Sequence, residues 1–222
     1  MEKYIPILRK CRLFAGVGED EIGSMLSCLN AKARSYKSGE YVFRQGAHPG
    51  GVVVLAEGRL HIQNDDYWGN RSILSEIAAG EIFGEAYAAP DSGALLNDVL
   101  AVEDSAIILF DIKSMLTTCS SACPFHARVV QNLFYLLAEK NRKLVGKLGH
   151  MSKRSTREKL ISYLSEEAKR QQSASFDIPF NRQQLADYLS VDRSAMSAEL
   201  SKMRNEGLLE FRKNSFRLLH KD

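Results

Sequence analysis

The spacing of hydrophobic residues changes twice along the chain. Residues 4–30 place them at helical intervals and predict short helices. From residue 31 to residue 111 the pattern becomes short alternating runs broken by glycines, which is typical of strands in an antiparallel sandwich or jelly roll. Helical spacing returns after residue 112. The predicted strands are 32–37, 41–44, 51–55, 58–64, 71–78, 82–83 and 99–110.

A long helix is predicted from Pro124 through Gly149, since proline suits the first turn of a helix. Its apolar positions form a heptad seam, and a polar residue within such a seam, here Asn141, often fixes register and oligomeric state. Two interpretations remain open: the helix pairs with a second copy, or it packs only on its own β domain, which would show the same stripe. The seam residues are Val130, Phe134, Leu137, Asn141, Leu144 and Leu148.

Residues 181–207 predict two helices joined by a tight turn at Ser190. Asn181 and Gln184 have the spacing of a capping box, and Asp192 is placed to cap the second helix. The polar face of that second helix is small and nearly free of acid, as a helix that enters a DNA groove must be. The alternative is a surface hairpin whose polar face only meets water. The face carries Arg193, Ser194, Ser197, Ala198, Ser201 and Arg204.

Residues 208–219 alternate like two short strands around Lys213 and Asn214. A hairpin with a basic tip directly after two such helices predicts a winged helix-turn-helix. Cations on the hairpin can then reach DNA phosphates. A helix at 154–170 and a short strand at 176–180 are predicted to precede the pair.

Composition adds limits rather than a function. The net charge is only +3, and residues 151–222 carry the whole positive excess. No apolar run approaches the roughly 20 residues of a membrane span, and the N-terminus lacks a signal-peptide pattern, so we expect a cytoplasmic protein. Cys119 and Cys123 allow a redox pair or half a metal site, but ordinary buried thiols are the simpler interpretation. We predict no cofactor and no metal.

The two helices predicted within residues 181–207, which we call the reading pair, resemble the CRP/FNR family of bacterial transcription regulators. The resemblance lies in the segments RQQLA and RSAMS. The segments SGEYVFRQG, VVVLAEGRLHI and AAGEIFGEA resemble the β-roll of cyclic-nucleotide-binding domains, with glycines at matching places. The resemblance implies an α+β fold with an N-terminal antiparallel β-roll (jelly roll), a long dimerisation helix and a C-terminal winged helix-turn-helix domain. We place the β-roll effector domain and its N-terminal helices at 1–123, the dimerisation helix and hinge at 124–150, and the DNA-binding domain at 151–222.

The resemblance also implies an effector pocket within the β-roll. In the family a Gly-Glu pair holds the ribose of a cyclic nucleotide, and an Arg-Ser or Arg-Thr pair holds its phosphate. Gly84 and Glu85 keep the first pair, but Leu95 and Leu96, or Leu96 and Asn97 with a one-residue shift, stand in place of the second. A buried phosphodiester needs a charged, bidentate partner, which leucine does not supply. We therefore expect an effector other than a cyclic nucleotide; a β-roll corner that serves only folding is the alternative for Gly84 and Glu85.

DNA contacts follow from the same resemblance. Arg182 and Gln183 match phosphate-contacting positions, helped by the helix N-terminus, and Arg193 matches the arginine that grips a guanine edge. Ser194 and Ala198 replace residues that many members use for base contacts, so the sequence read should differ from that of better-known members. The predicted DNA-binding residues are Arg182, Gln183, Arg193, Ser194, Ser197, Lys213 and Asn214.

The sequence thus favours a homodimeric regulator that binds double-stranded DNA, with RNA polymerase and an unknown small-molecule effector as further partners. Two alternatives are a cyclic-nucleotide-responsive regulator and a β-roll docking module that binds protein rather than DNA. No HExxH, GxSxG or Walker-type loop is present. We therefore predict no enzyme activity.

Overall fold

The computed structural model describes residues 1–65, 71–89, 91–116 and 124–219. Its contacts divide into two units, Met1–Ala138 (unit 1) and Glu139–Asp222 (unit 2). The predicted domain ranges 1–123, 124–150 and 151–222 remain predictions. The division between the units falls within the long helix, so that helix supplies residues to both.

Unit 1 is built on two four-stranded antiparallel sheets, with strand orders β1-β8-β3-β6 and β2-β7-β4-β5. The predicted N-terminal β-roll is therefore confirmed. Short helices flank it at both ends. The elements are α1 (Ile5–Lys10), α2 (Glu19–Cys28), β1 (Lys32–Tyr36), β2 (Tyr41–Phe43), β3 (Gly51–Glu57), β4 (Arg59–Asp65), β5 (Arg71–Ala78), β6 (Ile82–Phe83), β7 (Asp98–Ala101), β8 (Ser105–Asp111) and α3 (Ile112–Leu116).

The apolar residues of unit 1 form two cores on opposite faces of strand β3. Val53 and Leu55 pack between the two sheets, whereas Val52 and Val54 pack against the helices. Because both faces are covered, this strand reads as a continuous apolar run rather than as an alternating one. In the core that contains Val52 and Val54, the helices contribute Leu8, Phe14, Ile22, Met25, Val129, Leu133 and Leu136.

The single strand predicted at 99–110 is wrong. The chain forms β7 in one sheet and β8 in the other, with a turn between them. Asp104 fixes this turn, because its carboxylate accepts hydrogen bonds from Lys37 Nζ at 2.7 Å and from the Ser38 N–H at 3.0 Å. Burial alternates along β7, whereas β8 is buried at nearly every position. Both segments are rich in apolar residues, so the prediction merged them into one strand.

Helix α4 spans Pro124–Met151 and begins at the predicted proline. Its first half belongs to unit 1, where the Asn132 amide donates to the carbonyls of Leu13 and Ala15 at 3.0 and 2.9 Å. Its last turns belong to unit 2. There the buried His150 ring lies 2.9 Å from the Ser162 hydroxyl.

Unit 2 continues with three helices and a three-stranded sheet of order β10-β11-β9. This is a winged helix-turn-helix, as the sequence predicted. The predicted strand at 176–180 is shorter than expected, because Pro179 cannot donate to a sheet. The elements are α5 (Thr156–Gln171), β9 (Ser175–Asp177), α6 (Arg182–Leu189), α7 (Arg193–Asn205), β10 (Leu209–Arg212) and β11 (Ser215–Leu218).

Candidate nucleic-acid interface

The first helix of the pair, α6, is held at its start by the predicted capping box. The Gln184 N–H donates to Asn181 Oδ1 at 2.9 Å, and the Asn181 N–H donates to Gln184 Oε1 at 2.9 Å. Reciprocal bonds of this kind satisfy donors that a helix N-terminus leaves open. The residue that ends the helix, Ser190, has a left-handed backbone with φ of +50°.

A lysine that sequence analysis missed stabilises the turn after α6. Lys159 Nζ, on α5, donates to the carbonyls of Leu189 and Ser190 at 3.1 and 3.2 Å. These carbonyls lie at the C-terminal end of α6, where a cation also interacts favourably with the helix dipole. Lys159 is 30 residues from Leu189 in sequence, so no local pattern announces the contact.

The second helix, α7, begins at the predicted cap. The Ala195 N–H donates to Asp192 Oδ1 at 2.8 Å, and the Ser194 hydroxyl donates to the same oxygen. These bonds, the hydroxyl first, lower the pKa of Asp192 from its ordinary value. The helix buries Met196, Leu200 and Met203 in the core of unit 2.

The outward face of α7 presents Arg193, Ser194 and Ala198 to solvent. Ser197 is half-buried, and its hydroxyl donates to the Arg193 carbonyl at 2.8 Å. That hydroxyl is therefore occupied within its own helix. Arg193 is the long cationic donor at the N-terminal end of this face, and Arg204 at its other end lies over the Phe211 ring.

The two predicted phosphate-contacting residues of α6 lie in different surroundings. Gln183 is exposed, and its amide donates to Asp187 Oδ1 at 2.8 Å. Arg182 is half-buried, with its guanidinium carbon 4.8 Å from the ring centre of Phe211 and 5.0 Å from that of Phe216. Burial lowers the pKa of Arg182. Sequence analysis did not anticipate this packing on the hairpin.

The hairpin of β10 and β11, which we call the wing, turns at the predicted basic tip. Lys213 is exposed and adopts a left-handed backbone with φ of +54°. Asn214 is tied to the segment after β9, because its amide donates to the Ile178 carbonyl at 3.1 Å and its own carbonyl accepts from the Ile178 N–H at 2.9 Å. A cavity of about 450 Å³ lies between the tip of the wing and the start of α6. It is lined by Pro179, Phe180, Asn181, Arg182, Gln184, Lys213 and Asn214.

The predicted seam of α4 lies on the surface of the chain. The buried stripe of the same helix is a different one, made by Val129, Leu133 and Leu136. The seam is therefore not buried against the β-roll. Its apolar stripe stays exposed to solvent within the part of the chain that the structure describes. The exposed fractions are 65% for Phe134, 38% for Leu137, 60% for Leu144 and 64% for Leu148, with Asn141 also exposed and Val130 half-buried.

The four residues of the predicted effector pocket lie in the β-roll. Gly84 has a φ of +75°, which explains glycine there, and the half-buried Glu85 begins a short 3₁₀ turn. Leu95 is buried, with its N–H donating to the Ala47 carbonyl at 2.9 Å. Leu96 is 66% exposed. The two leucines thus face different surroundings.

Two further findings concern other classes of site. Within the described parts of the chain, no helix combines the length and apolar composition that crossing a membrane requires. Nor do those parts gather three His, Cys, Asp or Glu side chains into a metal-binding group. Cys119 and Cys123 lie outside the described residues.

Comparison with known protein families gives one match in each of two successive segments of the chain. Residues 33–122 match the family model of the cyclic nucleotide-binding domain, and residues 158–222 match that of the Crp-like helix-turn-helix domain. The chain is 24% identical over 197 residues to the cyclic AMP receptor protein of Thermus thermophilus, which covers 89% of this chain and 87% of that protein.

Other similarities are more limited. The chain is 25% identical over 111 residues to cGMP-dependent protein kinase 2 of Homo sapiens, and this match covers 50% of the chain but only 14% of the kinase. The solved structure of CprK complexed with OCPA superposes with a TM-score of 0.61 at 15% identity, covering 88% of each chain. That likeness concerns the fold alone. With a cyclic nucleotide-binding domain followed by a Crp-like helix-turn-helix domain, the chain belongs to the CRP/FNR family of transcription regulators.

Proposed function

We propose that this protein regulates transcription by binding duplex DNA as a homodimer and reading a palindromic operator through α7. The observation that carries the proposal is the outward face of this helix. Its long cation, Arg193, is exposed among small side chains. The carboxylate of α7 that would oppose a phosphate wall, Glu199, is instead paired with Arg157 at 3.3 Å.

Arg193 has the chemistry of a base-reading residue. A guanidinium can donate two parallel hydrogen bonds to O6 and N7 of guanine in the major groove, which discriminates against other bases by about 1–3 kcal/mol. Ser194 and Ala198 are too short to repeat that contact on neighbouring bases. The operator should therefore have one strongly specified guanine per half-site.

Phosphate contacts are assigned to exposed groups around α6 and the wing. Lys213 is exposed, and the first turn of α6 offers backbone N–H groups with a favourable dipole. Contacts to phosphate from four further side chains stay predictions, since these side chains already have partners within the protein: Gln183, Ser197, Arg182 and Asn214. Together the cations give a salt-dependent affinity.

Pairing through α4 is supported by its uncovered seam. An exposed stripe of large apolar residues marks an interaction surface, and heptad spacing suits a second copy of the same helix. Two recognition helices about 34 Å apart would then read half-sites one turn of DNA apart. Such a regulator acts in the bacterial cytoplasm and, at a promoter, beside RNA polymerase.

The effector that we propose is not a cyclic nucleotide. The resemblance puts a leucine, either Leu95 or Leu96, at the position of the family's arginine, and no arginine occurs between Arg71 and Arg128 in the sequence. The family model and the Thermus relative carry cyclic-nucleotide names, which supports the competing proposal of a cyclic AMP response. Calorimetry with cyclic AMP separates the two: we expect no saturable heat, and tight uptake would establish the competitor.

The DNA-binding proposal is tested by fluorescence anisotropy with a pool of labelled random duplexes. We expect binding at low ionic strength that weakens steeply as salt is added, because phosphate contacts release counterions. A protein that ignores every duplex at low salt would instead be a docking module for other proteins.

A further inference from the structure

One phenylalanine from each strand of the unit 2 sheet forms a row across the wing. Phe211 pairs in register with Phe216, and Phe216 pairs with Phe176. The ring centres of Phe211 and Phe216 are 6.0 Å apart, and those of Phe216 and Phe176 are 6.3 Å apart with nearly parallel planes. Aromatic neighbours at such distances attract each other beyond the area that they bury.

Two arginines, one from each helix of the reading pair, lie over this row. Arg182, the first residue of α6, has its guanidinium carbon 4.8 Å from the Phe211 ring centre and 5.0 Å from that of Phe216. Arg204, in the last turn of α7, has its guanidinium carbon 5.1 Å from the Phe211 ring centre. Phe211 is thus the point at which α6, α7 and the wing all make contact.

The side chain of Arg182 is less exposed than that of a typical phosphate-binding arginine on a protein surface. Its side chain is half-buried and its pKa is lowered by burial. Nearby cations of the wing, Arg212 and Lys213, are exposed. A planar guanidinium stacked on aromatic rings stabilises the protein itself, and stacking is a use for which arginine is better suited than lysine.

We propose that Arg182 and Arg204 are positioning residues that hold the wing against the reading pair through Phe211. The pairing of β11 with β9 and the bonds between Asn214 and Ile178 already join the wing to unit 2. The two arginines add a contact that ties β10 to the start of α6 and to the last turn of α7. With the row clamped, the Lys213 tip keeps a fixed distance from the base-reading face. The part of this proposal that concerns DNA rests on the proposed function; the part that concerns the wing does not.

The clamp is tested first without DNA, by hydrogen exchange of the wing amides in the full-length protein. Arg182→Gln removes the cation and leaves the aromatic row intact, whereas Phe211→Leu removes the ring and leaves both cations. Cation–aromatic contacts of this type contribute enough that we expect wing exchange to accelerate roughly five- to thirty-fold in each variant. Phe211→Tyr, which keeps the ring, and Arg212→Gln, which removes a neighbouring exposed cation, should leave the rate near that of the wild type.

The second measurement separates positioning from direct phosphate contact. Loss of one phosphate contact reduces the slope of log affinity against log salt by about 0.9. We expect Arg182→Gln to weaken DNA binding with an unchanged slope, and Phe211→Leu to do the same although no charge is removed. Lys213→Gln, the matched contact variant, should lower the slope.

Two results would overturn the clamp. One is wild-type exchange of the wing amides in Arg182→Gln. The other is a slope reduced by about 0.9 in that variant, which would make Arg182 a phosphate ligand. If the wild type binds no DNA, the proposed function fails, but the exchange rates still decide whether the arginines hold the wing.

Discussion

Arg157 Nη1, in the first turn of α5, lies 3.3 Å from Glu199 Oε1 in the middle of the recognition helix. The same nitrogen lies 3.1 Å from Glu206 Oε1 beyond the end of that helix. The Arg157 guanidinium therefore pairs with the carboxylates of both Glu199 and Glu206, on the side of α7 that faces α5. The outer face, which carries Arg193, is left without acid from the body of the helix.

Arg157→Gln is expected to lower the free energy of unfolding of unit 2 slightly, because ion pairs near the surface contribute little to stability. It should also weaken DNA binding, because two carboxylates lose the cation that neutralises them. Urea denaturation and a DNA titration measure the two effects. Arg154→Gln removes an exposed cation from the same region and serves as the control; equal losses in both variants would contradict the account.

Ser190→Gly is expected to stabilise unit 2 by about 0.5–1 kcal/mol. A left-handed backbone is strained for serine and costs glycine little, although glycine loses more entropy on folding. The matched control is Ser201→Gly inside α7, which should destabilise by about 1 kcal/mol, since glycine is a poor residue for a helix interior. Chemical denaturation followed by circular dichroism compares the two, and a loss of stability in both would refute the strain at Ser190.

Arg193→Ala and Lys213→Ala should weaken DNA binding in different ways. Removing Arg193, the proposed base-reading residue, is expected to reduce the preference for operator over unrelated duplex by about 1–3 kcal/mol. Removing the wing lysine should instead weaken binding to all sequences alike and reduce the salt slope by about 0.9. Competition titrations at two salt concentrations distinguish these outcomes. A variant without Arg193 that still selects the same sequences would remove it from the reading role.

Leu144→Glu is expected to convert the proposed dimer to monomers, because it places a charge in the centre of the exposed seam of α4. Light scattering should give half the wild-type mass. Arg142→Glu, which changes an exposed residue of the same helix outside the seam, should leave the dimer intact. An unchanged mass for Leu144→Glu would show that the seam is not the interface.

Asp192→Asn is expected to flatten the acid limb of the stability curve. The Ser194 hydroxyl and the Ala195 N–H lower the pKa of Asp192 below its ordinary value of 3.8. A carboxyl group of this kind stabilises the fold above its unfolded pKa and loses that contribution as pH falls through the folded pKa, so the effect lies below about pH 4. Asparagine still caps the helix. Urea denaturation from neutral pH to about pH 3 should show converging curves; parallel curves would contradict the assignment.

Local patterns were sufficient to predict the elements that local chemistry determines. The capping residues Asn181 and Asp192 formed the predicted hydrogen bonds, and Pro124 began the long helix. The heptad spacing of α4 was also visible, but only the separate buried stripe at Val129 and Leu133 showed that the seam stays uncovered. The spacing of apolar residues predicts which of them share a face of a helix. Which face is buried depends on the segments that pack against the helix in the folded chain.

Contacts between distant segments could not be predicted in the same way. Lys159 reaches the turn at Ser190, and Arg182 stacks on Phe211; the two members of each pair are far apart in sequence. The strand predicted at 99–110 failed for a related reason, since the sheet that each half joins depends on partner strands that are distant in sequence. An arginine can bind phosphate or pack on an aromatic ring, and only its neighbours in the folded protein show which of the two it does.

Selection of bound duplexes from a random library, followed by sequencing, tests the central claim most directly. The account predicts a palindrome whose half-sites lie about one turn of DNA apart, enriched by the wild type without added cyclic nucleotide and lost with Arg193→Ala. A library that emerges unenriched, from a protein shown by light scattering to be dimeric, would contradict it.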